Sequence, residues 1–265
     1  MEKEKGRAES DVVVVKIGGS TLGSHDTVLE DVVELHKGGL RPVVVHGGGS
    51  LIGDWLQRLG VPTRFERGLR VTDEASLEVV VSVLAGLVNK RLVGQLQALG
   101  GPAVGLSGAD GGMLQCAIAD EKLGLVGDIV AVDPGALVRV LLAGVIPVIA
   151  PVGLLFKGAQ PTAQLLNINA DTAAGAIAAA LRARWLAFLT DVPGVKSDGE
   201  VLAALPPARA GELIAAGVIE GGMIPKVEAC LGAALTGSMS VIVDGREEHS
   251  LLRVIGGAAS GTIVG

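Results

Sequence analysis

The stretch VVVVKIGG, Val12 to Gly19, decides the fold. Four consecutive valines show no alternation of polar and apolar positions. The segment therefore reads as a strand covered on both faces and ending in a glycine turn. Working outward, Val28 to Lys37 has helical spacing and stops at Gly38-Gly39. PVVVH, Pro42 to His46, is a second strand of the same kind; Gly47-Gly48-Gly49 follows it, and Ser50 to Leu59 is the next helix. Strand, helix, strand, helix with short connections predicts parallel βαβ units and a sheet covered on both faces.

The alternation continues along the chain. Asp73 to Leu99 reads as one long helix capped by Thr72, and Pro102 to Leu106 as a short strand. Met113 to Ala119 and Gly124 to Val132 form a candidate antiparallel pair. Pro134 to Ala143 is a helix, with proline tolerated in its first turn, and Val145 to Ala150 is a strand. Asp171 to Leu181 is an alanine-rich helix. A second series follows: a strand at Leu186 to Leu189, helices at Ala208 to Ala216 and Lys226 to Leu235, and a strand at Ser240 to Val243. A lobe boundary near Leu181 to Arg184 divides the chain into residues 11–182 and 183–265.

Composition narrows the function. Of 265 residues 49% are hydrophobic and 19% charged, which allows a large core and argues against general disorder. The 40 glycines follow no triplet repeat, which excludes collagen. Aromatics at 2% and a net charge of −6 argue against stacking on or wrapping nucleic acid. Cys116 and Cys230 lack metal-ligand spacing and read as buried small side chains in a reducing compartment. The charged N-terminus has no apolar core like that of a signal peptide. No run reaches the roughly 20 apolar residues of a membrane span. The expectation is a cytoplasmic protein.

Five fragments could carry chemistry. Lys16 interrupts a buried strand at its carboxyl end, where open parallel sheets bind ligands; a lysine there suits a phosphate. Gly47-Gly48-Gly49 lets several N–H groups face one anion at a helix N-terminus, although a tight turn alone would also use it. His46 reads equally as a satisfied turn histidine. Asn167-Ile168-Asn169-Ala170-Asp171 sets two amides and a carboxylate before an apolar helix; Asp171 could serve simply as its N-cap. Lys226, in GGMIPK, sits in a first helical turn, where the dipole disfavours a cation unless an anion compensates it. Arg70, in GLRVT, suits a carboxylate clamp, or a surface ion pair with Glu66 or Asp73. The chain has no GxSxG and no HExxH.

Together VKIGGS (Val15 to Ser20), VVVHGGG (Val43 to Gly49), GLRVTD (Gly68 to Asp73), GLVNKRLV (Gly86 to Val93), GLSGADG (Gly105 to Gly111), NINAD (Asn167 to Asp171), LTDVPGV (Leu189 to Val195), GGMIPKV (Gly221 to Val227) and DGREEHSLL (Asp244 to Leu252) resemble the amino acid kinase family, in its acetylglutamate-phosphorylating branch. The resemblance runs from Val12 to Val264. It implies a three-layer α/β/α sandwich around a mainly parallel sheet. An N-terminal lobe would bind the acyl amino acid and dimerise, and a C-terminal lobe would bind ATP. The implied reaction phosphorylates the γ-carboxylate of N-acetyl-L-glutamate, the second step of arginine biosynthesis. Lys16, Lys226 and Asp171 would be catalytic. Gly48, Gly49, Arg70, Asn167 and Asn169 would hold the acyl amino acid. Lys16, Gly18, Gly19, Thr190, Asp191 and Lys226 would meet the nucleotide, with N–H groups near Gly18, Gly19 and Gly48 cradling phosphates. Mg²⁺ would ride on the phosphates rather than on protein ligands, and the assembly would be a homodimer.

Three rivals are weaker. A sister kinase acting on aminoadipate derivatives in lysine synthesis usually differs at the asparagine-rich stretch and at the Ile–Pro pair before the lysine; NINAD and MIPK favour acetylglutamate. A dinucleotide-dependent oxidoreductase fails because the glycine spacing is one residue too long. A dead sensor fits poorly with both lysines and Asp171 present. MEKEKGRAESD has no apolar stripe for packing on a partner helix, and Val254 stands where the arginine-inhibited branch usually has glutamate. The expectation is a homodimer insensitive to arginine.

Overall fold

The computed structural model describes residues 11–18, 27–66, 68–258 and 260–265. Residues 1–10 and the expected nucleotide-binding Gly19 lie outside them. An eight-stranded sheet forms the centre. From one edge to the other its strands are Ala204–Leu205, Thr262–Val264, Met239–Asp244, Trp185–Thr190, Val12–Ile17, Arg41–His46, Ile146–Ala150 and Ala103–Ser107. The six strands from Met239–Asp244 to Ala103–Ser107 run parallel, and Thr262–Val264 returns antiparallel beside Met239–Asp244. Val12–Ile17 lies in the middle and is buried along its whole length, as an apolar run without alternation requires.

Strand periodicity assigns its side chains to two cores. Val12 and Val14 pack with Ala173, Ile177, Val227 and Cys230 of the helices Ala170–Leu181 and Met223–Ala234. Val13, Val15 and Ile17 pack on the opposite face with Val32, Leu56, Leu84 and Leu92. Lys16 is in phase with Val12 and Val14, so it faces the helix whose first turn carries Asp171. Most predicted elements form near their expected positions, Val28–Lys37 with the same bounds.

Beside the sheet, Gln160–Ile168, Val126–Val132, Leu114–Ile118 and Val152–Lys157 close a small four-stranded barrel. The predicted antiparallel pair is two of these strands, Leu114–Ile118 and Val126–Val132. The hairpin Val152–Lys157 with Gln160–Ile168 was absent from the sequence reading. Its last residues, Asn167 and Ile168, lead directly into the helix that carries Asp171.

Three local expectations need correction. The long helix is not uniform: α-helical Glu74–Val81 and Asn89–Ala98 flank a π-helical segment, Ser82–Val88. Its cap is not Thr72, whose Oγ1 donates to the Arg70 carbonyl; the Asp73 carboxylate accepts from the Ser76 N–H at 2.8 Å. That bond holds the Asp73 carboxyl below its ordinary range. The cap therefore contributes fully above the ordinary carboxylate pKa and weakens as pH falls through the lowered value. Asp73→Ala is expected to lower Tm by about 2–4 °C at neutral pH and by less in acid, read by circular dichroism. The third correction concerns Asp171, which is not a cap: Asn169 Oδ1 accepts from the Asp171 and Thr172 N–H groups at 2.8 and 3.0 Å.

Among the described residues, no helix is long and apolar enough to cross a membrane. Cys116 and Cys230 are free and buried. Burial drives both thiols up, Cys116 to about 12, so neither is reactive at neutral pH.

Candidate active site

The parallel strands deliver their carboxyl ends to one edge, where a cleft of about 270 Å³ opens. Lys16, Gly48, Gly49, Arg70, Asn167, Asn169 and Asp171 all line it. These residues come from four separate stretches of sequence, and the fold brings every one to a single surface.

Two of the lining residues, Lys16 and Asp171, form an ionic triad with Lys226, which lies outside the lining. Lys16 Nζ lies 2.7 Å from Asp171 Oδ1, and Lys226 Nζ lies 2.8 Å from Asp171 Oδ2. Lys226 also donates to the Gly222 carbonyl at 3.0 Å, one turn back in its helix. Lys16 is 7% exposed and Asp171 6%. Burial lowers the Lys16 pKa; the Asp171 carboxylate opposes that shift, and the Lys226 charge adds to it. One carboxylate thus holds two ammonium groups together and supplies the compensating anion that a lysine in a first helical turn needs.

The spacing of the triad follows from helix packing. Helices Ala170–Leu181 and Met223–Ala234 meet at Gly175 and Ala229, where a Cβ added to Gly175 would stand 2.7 Å from the Ala229 Cβ. Only glycine permits this approach, and the approach brings Lys226 to Asp171.

Arg70 forms one wall. Its guanidinium stacks 4.8 Å from the Phe65 ring centroid, donates to the Gly49 carbonyl at 3.1 Å, and reaches Thr63 Oγ1 at 3.4 Å. The hairpin Phe65–Glu66 with Leu69–Arg70 presents it. Its guanidinium thus engages Gly49, Thr63 and Phe65 rather than forming the surface pair with Glu66 or Asp73. Partial burial lowers its pKa, yet a guanidinium stays charged at any physiological pH. On the far wall Asn167 Nδ2 donates to Thr72 Oγ1 at 3.1 Å. Asn169 lines the cleft while its Oδ1 caps the helix.

The remaining expected residues stand apart from this cleft. Gly18 directly follows the central strand. Thr190 ends the neighbouring strand, buried, with its hydroxyl donating to the Val192 carbonyl at 2.8 Å. Asp191 follows on the surface, close enough for its charge to act on Lys16 and Arg246. Sequence reasoning missed the apolar lining, among it Phe65, Leu84, Val126 and Ile168. An apolar side chain in a cleft has the same sequence signature as one in the core.

A model of the amino acid kinase family matches residues 11–244. The chain belongs to the amino acid kinase family. Within it, an acetylglutamate kinase of Dehalococcoides mccartyi is 44% identical over 98% of this chain and 97% of its own length. An acetylglutamate kinase of Cereibacter sphaeroides is 45% identical over 96% of this chain and 87% of its own. Among solved structures, smu.665 of Streptococcus mutans superposes with a TM-score of 0.82 at 30% identity, covering 96% of this chain and 98% of that one. Carbamate kinase of Giardia lamblia bound to AMP-PNP shares the fold, with a TM-score of 0.69 at 17% identity over 97% of this chain and 99% of that one. The predicted α/β/α sandwich is thus the fold of this kinase family.

Proposed function

We propose that this kinase transfers the γ-phosphoryl group of ATP to the γ-carboxylate of N-acetyl-L-glutamate, giving ADP and N-acetyl-L-glutamyl 5-phosphate, the second step of arginine biosynthesis in the cytoplasm. The observation that carries the reading is the Lys16–Asp171–Lys226 triad, two members of which line a cleft together with Arg70 and two asparagines. The names of the 44–45% identical relatives support the same substrate.

The chemistry asks little of the protein beyond charge and position. Phosphoryl transfer spreads negative charge over equatorial, attacking and leaving oxygens, so catalysis needs cations and N–H donors. A carboxylate acceptor is already ionised near neutral pH and needs no general base. Lys16 and Lys226 neutralise the phosphoryl group in flight, and Asp171 orients both. Arg70, Asn167, Asn169, Gly48 and Gly49 hold the acyl amino acid, while Gly18, Gly19, Thr190 and Asp191 meet the nucleotide. Among the described residues no three carboxylate, imidazole or thiolate side chains converge as a metal cage, and both Asp171 oxygens are engaged by lysines. That donor set suits a Mg²⁺ ion carried by the triphosphate and water. When bound, Mg²⁺ offsets phosphate charge.

Residues 11–182 form the acyl amino acid lobe and residues 183–265 the nucleotide lobe of this reading, and the kinase works as a homodimer. Light scattering is expected to give the mass of two chains. ADP release, measured with N-acetyl-L-glutamate and with acetylated aminoadipate in parallel, tests the substrate; clear preference for aminoadipate overturns the assignment. Arg70→Lys replaces a planar fork by a point charge. The expected result is a raised KM for N-acetylglutamate with the KM for ATP little changed, and an unchanged KM for N-acetylglutamate removes Arg70 from the substrate site.

A further inference from the structure

Behind the glycine turn, and outside the cleft lining, lies a buried polar knot. His46 and Asn89 are both completely buried. Asn89 opens the helix Asn89–Ala98, directly after the π-helical segment Ser82–Val88. Its Nδ2 donates to the Val148 carbonyl at 2.8 Å and the Leu106 carbonyl at 3.2 Å, and lies 3.3 Å from His46 Nε2. Its Oδ1 accepts from Lys90 Nζ at 3.0 Å. One carboxamide therefore ties together three adjacent strands. Two hydrogens serve three acceptors, so one is shared. The contacts to two carbonyls and an ammonium also fix which end of the amide is nitrogen.

The histidine partners fix its proton. Nδ1 lies 2.9 Å from the Gly47 carbonyl, which can only accept, so Nδ1 carries the hydrogen and Nε2 takes the Asn89 amide. Burial drives the His46 pKa down to about 4, in keeping with a neutral ring. The consequence falls on the next peptide. In a trans peptide the C=O and the following N–H point in opposite directions. Drawing the Gly47 carbonyl toward the buried imidazole turns the Gly48 N–H the other way, toward the cleft that Gly47, Gly48 and Gly49 line. The Gly47 N–H is bonded to the Ile17 carbonyl, and the Gly48 carbonyl accepts from Ile52 N–H, so both neighbouring groups are fixed. Leu84 of the π-helical segment backs the turn: a Cβ on Gly48 would stand 2.8 Å from its Cδ2. A π turn beside a functional loop is a recurring arrangement.

We propose that His46, held in its Nδ1–H tautomer by Asn89, is a positioning residue that aims the Gly48 N–H at the transferring phosphoryl group. This deepens the phosphotransfer reading and rests on it. Two measurements separate the parts. Nitrogen-15 NMR of histidine-labelled protein reports the tautomer without any turnover; a neutral Nδ1–H ring is expected for His46, and an Nε2–H ring overturns the proposal. Transfer by the parent enzyme tests the reaction itself. His46→Asn sets an amide where Nδ1 stood and keeps a donor for the Gly47 carbonyl, whereas His46→Gln sets it where Nε2 stood and removes that donor. At matched Tm, His46→Gln is expected to lose about tenfold or more in kcat, and His46→Asn to keep most of it. Equal kcat for the two variants overturns the proposal. If either variant fails to fold, the tautomer decides.

Discussion

Lys226→Ala is expected to lower kcat at least about 10²-fold and to leave the KM for N-acetylglutamate within a few-fold of the parent value. Lys226 stands behind Asp171 and does not line the cleft that would hold the ground-state substrate. Its charge gains most when negative charge builds on the oxygens of the transferring group. An interaction made mainly in the transition state appears in turnover rather than in binding. Steady-state kinetics with both substrates varied gives the split. A variant that retains most of its turnover removes Lys226 from the chemistry, and the same test with Lys16→Ala addresses the other arm of the triad.

Asp171→Asn is the second large effect, with a loss of similar order expected and a pH signature of its own. The substitution keeps the shape and the backbone bond to Asn169 but leaves two ammonium groups without their shared anion. Burial already lowers the Lys16 pKa, and Asp171 is the largest opposing influence. Lys16 acts only while protonated, so activity falls as pH rises through its pKa. Removing Asp171 lowers that pKa further, and the alkaline fall in kcat moves to lower pH. Profiles of kcat from neutral to alkaline pH, compared with thermal melts, check this. An alkaline limb at the parent position means that Asp171 does not sustain the Lys16 charge.

Much of this arrangement was legible because it rests on backbone periodicity and charge. Four β-branched valines in a row, closed by glycines, favour a buried strand over a helix, and period two then dictates which helix Lys16 meets. The hairpin Val152–Lys157 with Gln160–Ile168 was not legible. Its strands mix Lys157, Pro161 and two glutamines with leucines, and much of it stays partly exposed, so neither period stands out. At the site, glycines and ionic groups announced themselves, whereas Leu84 and Ile168 looked like core. Asn89 carried a signal that went unused. It shares the buried face of its helix with Leu92 and Leu96, three and seven residues on, where a polar side chain must have buried partners.

The seam at Gly175 and Ala229 has a thermodynamic side. Long side chains can set a distance between helices, but each must surrender rotamers to do so and regains them as the structure breathes. Glycine and alanine have essentially no side-chain rotamer entropy to lose. The spacing between Asp171 and Lys226 is thus set by atoms with no torsional freedom, at no ordering cost from the side chains that set it. The alanine-rich composition of the helix Ala170–Leu181 makes the reach of Lys226 a property of two backbones, insensitive to which rotamers the neighbouring side chains visit.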